Sequence, residues 1–85
     1  MAHAAPAETP NPNAMKFTLD VTLPEMVNAP SRAAATGHPL AESLFGIDGV
    51  IGVFATADFV TVSKRPDADW DAIVPATIEV LRTAL

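Results

Sequence analysis

The sequence predicts an α+β fold: a mostly antiparallel sheet with two helices packed on one face. Three observations carry this. Gly49 to Lys64, GVIGVFATADFVTVSK, holds two β-rich runs, Val50–Phe54 and Phe59–Ser63, separated by Ala55-Thr56-Ala57-Asp58. Val, Ile, Phe and Thr dominate both runs, and a four-residue connection is a common hairpin length. Lys16 to Leu23 alternates apolar and polar residues with a period of two, the mark of a strand with one buried and one wet face. Helical patterns lie on either side of the hairpin, over Pro39–Phe45 and from Asp67 to the end of the sequence. Strands and helices in this order favour helices gathered on one face of an antiparallel sheet.

Composition sets the bounds. Eighty-five residues make one domain. A chain of this size buries roughly 60–65% of its unfolded surface, so its core is modest. A hydrophobic fraction of 49% favours folding over disorder. There is no cysteine, which removes disulfides, thiolate metal sites and thiol catalysis together. The net charge of −5 gives nothing to attract a phosphate backbone, so nucleic acid is not an expected partner. No apolar run approaches the roughly 18 residues of a spanning helix, so no membrane association is expected. MAHAAPAETP lacks the basic cluster and apolar core of a secretory signal. A soluble, cytoplasmic protein is expected.

Taken in order, residues 1–8 read as a tail or a poor edge strand, and residues 9–85 as the single domain. Thr9-Pro10-Asn11-Pro12-Asn13 is a non-helical loop, since each proline restricts itself and its predecessor. In the first clear strand Phe17, Leu19, Val21 and Leu23 form the buried face, and Pro24 ends it. Pro30 demotes any strand around it to an edge position, and a short edge strand is placed near Ser31–Ala35. Proline suits the first turn of the Pro39–Phe45 helix. His38 stands at its N-cap, Leu40, Ala41, Leu44 and Phe45 form its apolar stripe, and Gly46 suits a left-handed C′ position. In the hairpin, Val60 and Val62 share one face and Phe59, Thr61 and Ser63 the other. The first run has apolar residues on both parities, and Gly52 marks a bulge that resets them. Asp67 reads as the N-cap of the second helix, with Asp69 and Asp71 in its first turn. Trp70, Ile73, Val74, Ile78, Leu81 and Leu85 form its buried stripe, and Pro75 inside it predicts a kink.

The chemistry-bearing residues are few. Asp67, Asp69 and Asp71 have the spacing of positions 1, 3 and 5 of a calcium loop, but Ala72 and Ile78 stand where glycine and glutamate belong. Helix-start acids are the ordinary reading. Gly46, Gly49 and Gly52 do not make a dinucleotide fingerprint. His3 and His38 form no metal cluster. Ser31, Ser43 and Ser63 lack a nucleophile's context. Among Asp20, Asp48 and Asp58 nothing singles out an acid–base pair. Trp70 and Phe59 read as core, with partner contact as the alternative. The TPNPN loop reads either as a lead into the first strand or as a recognition surface, because a pre-stiffened loop loses little entropy on binding.

Five stretches keep a family's order and spacing over about residues 8–85. They are Glu8-Thr9-Pro10-Asn11-Pro12-Asn13-Ala14-Met15-Lys16-Phe17, Pro39-Leu40-Ala41-Glu42-Ser43-Leu44-Phe45, Gly49-Val50-Ile51-Gly52-Val53-Phe54, Asp58-Phe59-Val60-Thr61-Val62-Ser63-Lys64 and Asp67-Ala68-Asp69-Trp70. Together they resemble the N-terminal domain of the Nfu/NifU-like iron–sulfur cluster scaffold proteins. That family usually carries a second domain whose Cys-x-x-Cys pair holds a cluster, and here cysteine is absent. The chain therefore looks like a stand-alone N-terminal domain. The resemblance implies a non-enzymatic accessory or docking module linked to iron–sulfur cluster assembly or delivery, without a cofactor of its own. Its partners would be iron–sulfur assembly or client proteins. The sequence departs from the family where Ala55-Thr56-Ala57 and His38 stand in place of the common glycine and serine. The expected contact surface is Thr9, Pro10, Asn11, Pro12 and Asn13 with neighbouring Lys16. The alternative is a weak iron-binding protein using Asp67, Asp69 and Asp71, since hard oxygen ligands suit iron.

Overall fold

A computed structural model describes residues 4–23 and 26–84. Pro24 as a strand terminator and Leu85 in the helical stripe lie outside the described residues, as does His3. The elements are β1 (Ala4–Glu8), β2 (Ala14–Leu19), β3 (Val27–Ala29), a 3-10 turn (Ala33–Ala35), α1 (Pro39–Phe45), β4 (Val50–Thr56), β5 (Phe59–Lys64) and α2 (Trp70–Ala84). The strands form one sheet in the order β1-β2-β5-β4-β3, and every neighbouring pair is antiparallel. The α+β class, the antiparallel sheet and the two helices agree with the sequence-based expectation.

Alternation divides the sheet into two faces. Phe17 sits opposite Val60, Val60 opposite Ala55, and Ala55 opposite Val27. All four are buried, in one cluster with Ala41, Leu44 and Phe45 of α1 and Ile73 and Leu81 of α2. Both helices therefore cover this face. The other face carries Lys16, Thr18, Phe54, Thr56, Phe59 and Thr61, none of them fully buried. There the Phe54 and Phe59 rings meet at 6.1 Å, tilted by 46°, within the range of favourable aromatic pairs.

The β4–β5 hairpin is longer and tighter than expected. Thr56 pairs with Phe59, so the connection is the two residues Ala57-Asp58. Ala57 takes φ of +51°, a turn conformation that glycine or asparagine usually supplies. The expected bulge is present: Val50 pairs with Lys64 and Gly52 with Ser63. Ile51 is the extra residue and lies 46% exposed. The shift lets Val50, Val53 and Ala55 all reach the core despite their mixed parity.

Strand β2 stops at Leu19, short of the expected Leu23. Its ladder partner β5 begins at Phe59, which faces Thr18, so among the described residues no strand lies beside the chain after Leu19. The hairpin turn takes over there. Leu19 N–H donates to the Asp58 carbonyl and Leu23 N–H to the Ala57 carbonyl, both at 2.6 Å. Leu23 returns to the core, and Val21, expected inside, is 38% exposed.

The edge strand expected near Ser31–Ala35 is instead the 3-10 turn. Ala34 and Ala35 N–H bond to the carbonyls of Ser31 and Arg32, a local pattern that alanine accepts readily. The strand occupies Val27–Ala29, with Val27 and Ala29 buried around exposed Asn28. Arg32 Nη2 donates to the Phe45 carbonyl at 2.7 Å, which ties the turn to the end of α1.

Helix α1 has the expected bounds. Its N-cap is His38, in extended backbone with no side-chain cap bond. Gly46 is not left-handed as expected: its φ is −69°, and its N–H bonds back to the carbonyls of Glu42 and Ser43. The left-handed turn falls at Gly49, with φ of +98°. A Cβ there would lie 2.8 Å from Ala68 Cβ, so close packing as well as backbone angle demands glycine.

Helix α2 begins at Trp70, and Asp69, not Asp67, is its cap. Asp69 Oδ1 accepts Asp71 N–H at 2.9 Å, and its carbonyl accepts Ala72 and Ile73 N–H. Asp67 pairs instead with Arg65 Nε at 3.3 Å. The helix is continuous through Pro75. Its buried residues are Ile73, Thr77 and Leu81, with Trp70, Val74 and Ile78 half-buried. Thr77 is a polar member that the apolar periodicity does not signal. No described helix is long and apolar enough to cross a membrane.

Candidate functional site

The TPNPN loop joins β1 to β2, whose pairing closes with Glu8 opposite Met15. Its own residues supply the first layer of order. Asn11 Oδ1 accepts Asn13 N–H at 2.9 Å, a local turn typical of asparagine. The Asn11 carbonyl accepts Ala14 N–H at 3.0 Å. Thr9 Oγ1 accepts Asn11 N–H at 3.2 Å and lies 2.9 Å from the Ala14 carbonyl, to which it donates. The prolines at positions 10 and 12 have no N–H to satisfy.

The second layer comes from residues far away in sequence. Trp70 Nε1–H donates to the Pro12 carbonyl at 2.9 Å. Lys64 N–H donates to the Asn13 carbonyl at 2.8 Å. Lys64 Nζ donates to Asn13 Oδ1 and to the Arg65 carbonyl, each at 3.2 Å, and stands 5.7 Å from the Trp70 ring centroid. Lys64 is only 7% exposed. Alternation puts it on the same face as Val60 and Val62, and neutral oxygens and an indole ring receive its charge in place of a carboxylate. The last residue of β5 and the first residue of α2 thus hold the loop in place.

Two concavities flank Trp70. A smaller one of about 210 Å³ lies against Thr9, Pro10, Asn11 and Pro12. A larger one of about 450 Å³ lies between β1 and α2, with Pro6, Met15, Val74 and Pro75 among its walls. Glu8, Met15 and Trp70 border both.

Lys16 does not join this site. It alternates with Met15 and Phe17 and so points to the other sheet face, where its Nζ sits 4.5 Å from the Phe59 ring centroid. Of the six residues expected to act together, the structure groups Thr9 to Asn13 and separates Lys16. Lys64 and Trp70 take the place beside the loop. The signal for Lys64 was its parity with Val60 and Val62; for Trp70 it was the position at the start of an amphipathic helix.

Asp67, Asp69 and Asp71 have separate tasks: an ion pair with Arg65, a helix cap, and a place in the first helical turn. Among the described residues no group of three or more His, Asp or Glu side chains is arranged to hold a metal ion. Arg82, bonded through its guanidinium to Glu79, is held above its ordinary range by that carboxylate. It lies in the last turn of α2 and borders neither concavity.

The family described as scaffold protein Nfu/NifU N terminal matches residues 6–85. NifU-like protein 4, mitochondrial, of Arabidopsis thaliana is 44% identical over 69 residues, covering 79% of this chain and 24% of that protein. The NFU1 iron-sulfur cluster scaffold homolog, mitochondrial, of Drosophila erecta is 42% identical over 77 residues, covering 87% and 27%. The chain thus spans about a quarter of the length of these curated relatives. Among solved structures, the solution structure of a NifU-like protein from Saccharomyces cerevisiae superposes with a TM-score of 0.78 at 26% identity, covering 95% of this chain and 76% of that one. The names of the curated relatives place those proteins in mitochondria, which overturns the cytoplasmic placement expected from the sequence.

Proposed function

Because the chain belongs to the Nfu/NifU N-terminal scaffold family, and so to proteins associated with iron–sulfur cluster assembly, we propose that it is a non-enzymatic docking module. It engages assembly or client proteins through the Thr9–Asn13 loop. The observation that carries this reading is the bracing of that loop by Trp70 and Lys64. A loop already fixed by long-range bonds gives up little conformational freedom when a partner binds. Cluster ligation through thiolates would have to come from elsewhere, because these 85 residues contain no cysteine. The residues grouped at the loop include no nucleophile with a base beside it, so positioning is the chemistry they offer.

The test is direct binding between this protein and purified cysteine-bearing cluster scaffolds and cluster-requiring clients, followed by calorimetry. Saturable binding to one of them is expected, weakened about tenfold or more by Asn11→Ala with Asn13→Ala. Lys16→Ala, on the opposite face, leaves it unchanged. Binding to none of these proteins refutes the reading, as does binding that ignores the loop substitutions.

A further inference from the structure

We propose that the cleft between β1 and α2 receives an extended peptide segment of a partner, an apolar anchor flanked by Lys or Arg. This rests on the docking reading above and specifies its partner. Pro6, Met15, Trp70, Val74 and Pro75 give the cleft apolar walls. Its volume of about 450 Å³ falls in the roughly 300–1,000 Å³ range of ligand clefts. Met15, Trp70 and Val74 are only half-buried although they pack against the core. They therefore have apolar surface left to give to an anchor.

Two carboxylates set the charge of that anchor's neighbours. Glu8 and Asp71 both line the cleft, one from each side, and neither side chain has an ion-pair or hydrogen-bond partner among the described residues. Lys64 lines neither concavity; its ammonium is held by Asn13 and the Arg65 carbonyl. The net charge of −5 steers cations toward the molecule in the same sense. The cleft runs beside β1, the outer strand of the sheet, along which an extended occupant fits. Pro6 takes one donor from that strand, so the apolar walls and the two carboxylates, not strand pairing, hold the occupant.

Trp70 is the one tryptophan in the chain, so its fluorescence reports the site directly. The probes are two tryptophan-free peptides, KRLPLRK and EDLPLDE, titrated against the whole protein. Saturable change with the basic peptide is expected, at least tenfold tighter than with the acidic one and weakened by added salt. Glu8→Gln with Asp71→Asn, checked for an unchanged fold by circular dichroism, is expected to weaken the basic peptide about fivefold. Equal binding of the acidic peptide, no saturable change up to about 1 mM, or indifference to the double substitution overturns the proposal. Basic-peptide binding without capture of any iron–sulfur protein supports the cleft and refutes only the docking reading. Capture of such a protein that ignores the double substitution does the reverse.

Discussion

Replacing Trp70 by Phe isolates the contact that fastens the loop. An aromatic ring remains, so packing against the core is largely kept, but the indole N–H is lost. That N–H donates to the Pro12 carbonyl at 2.9 Å, near the middle of the distance range for a good bond. The bond is exposed to water, which can replace the donor, so its loss falls at the low end of the usual range, about 0.5 kcal/mol. The smaller ring also weakens the cation–π contact with Lys64 Nζ at 5.7 Å. Lys64 is nearly buried, and this adds roughly another 0.5 kcal/mol. Together the loss is about 1 kcal/mol, or a fall in Tm of about 4–8 °C for a domain of this size. Urea denaturation followed by far-UV circular dichroism measures it. Amide exchange gives the local readout: the N–H groups of Asn13 and Ala14 should exchange faster, while those of Val60 and Val62 change only with global stability. Stability within about 0.3 kcal/mol of the parent, with loop exchange unchanged, would show that the loop does not depend on Trp70.

Two further substitutions probe the turn and the cap. Ala57→Gly should stabilise the protein by about 0.5–1 kcal/mol, since a left-handed alanine costs roughly 1–2 kcal/mol and the freer unfolded glycine returns part of that. A lower urea midpoint for this variant would contradict the assignment of strain to the φ of +51°. Asp69→Ala should cost about 1 kcal/mol through the lost cap, whereas Asp67→Ala, which breaks an exposed pair with Arg65, should stay within about 0.5 kcal/mol. Thermal melts of the two variants check this, and the opposite ranking would return the cap to Asp67.

Much of the fold is legible because its signals are local. Pro39 and the apolar stripe after it mark the bounds of α1 from local residues, although a seven-residue helix forms only because Ala41, Leu44 and Phe45 pack into the core. The mixed parity of Val50 to Phe54 calls for a bulge, and one extra residue, Ile51, resolves it. The misreadings arise where a distant partner decides. Val21 alternates correctly with Leu19 and Leu23, but β5 offers it no neighbour, and the turn carbonyls of Ala57 and Asp58 redirect the chain. Asp67 and Asp69 are equally good caps as residue types. The pairing of Asp67 with Arg65 leaves the cap to Asp69.

The site divides in the same way. The TPNPN loop is unusual enough in sequence to be singled out, but its anchors lie 51 and 58 residues away, at Lys64 and Trp70. Lys16, its near neighbour in sequence, is sent to the other face by simple alternation. A buried lysine is costly unless its charge is received, and here Asn13, the Arg65 carbonyl and the Trp70 ring share that task. The five residues between Lys64 and Trp70 must therefore keep the end of the hairpin and the start of α2 in fixed relation, and the Gly49–Ala68 contact closes that turn against the bulge side of the sheet. Loop, hairpin and helix form one braced corner of the molecule. A partner seated on the loop would meet a surface already shaped by the core beneath it.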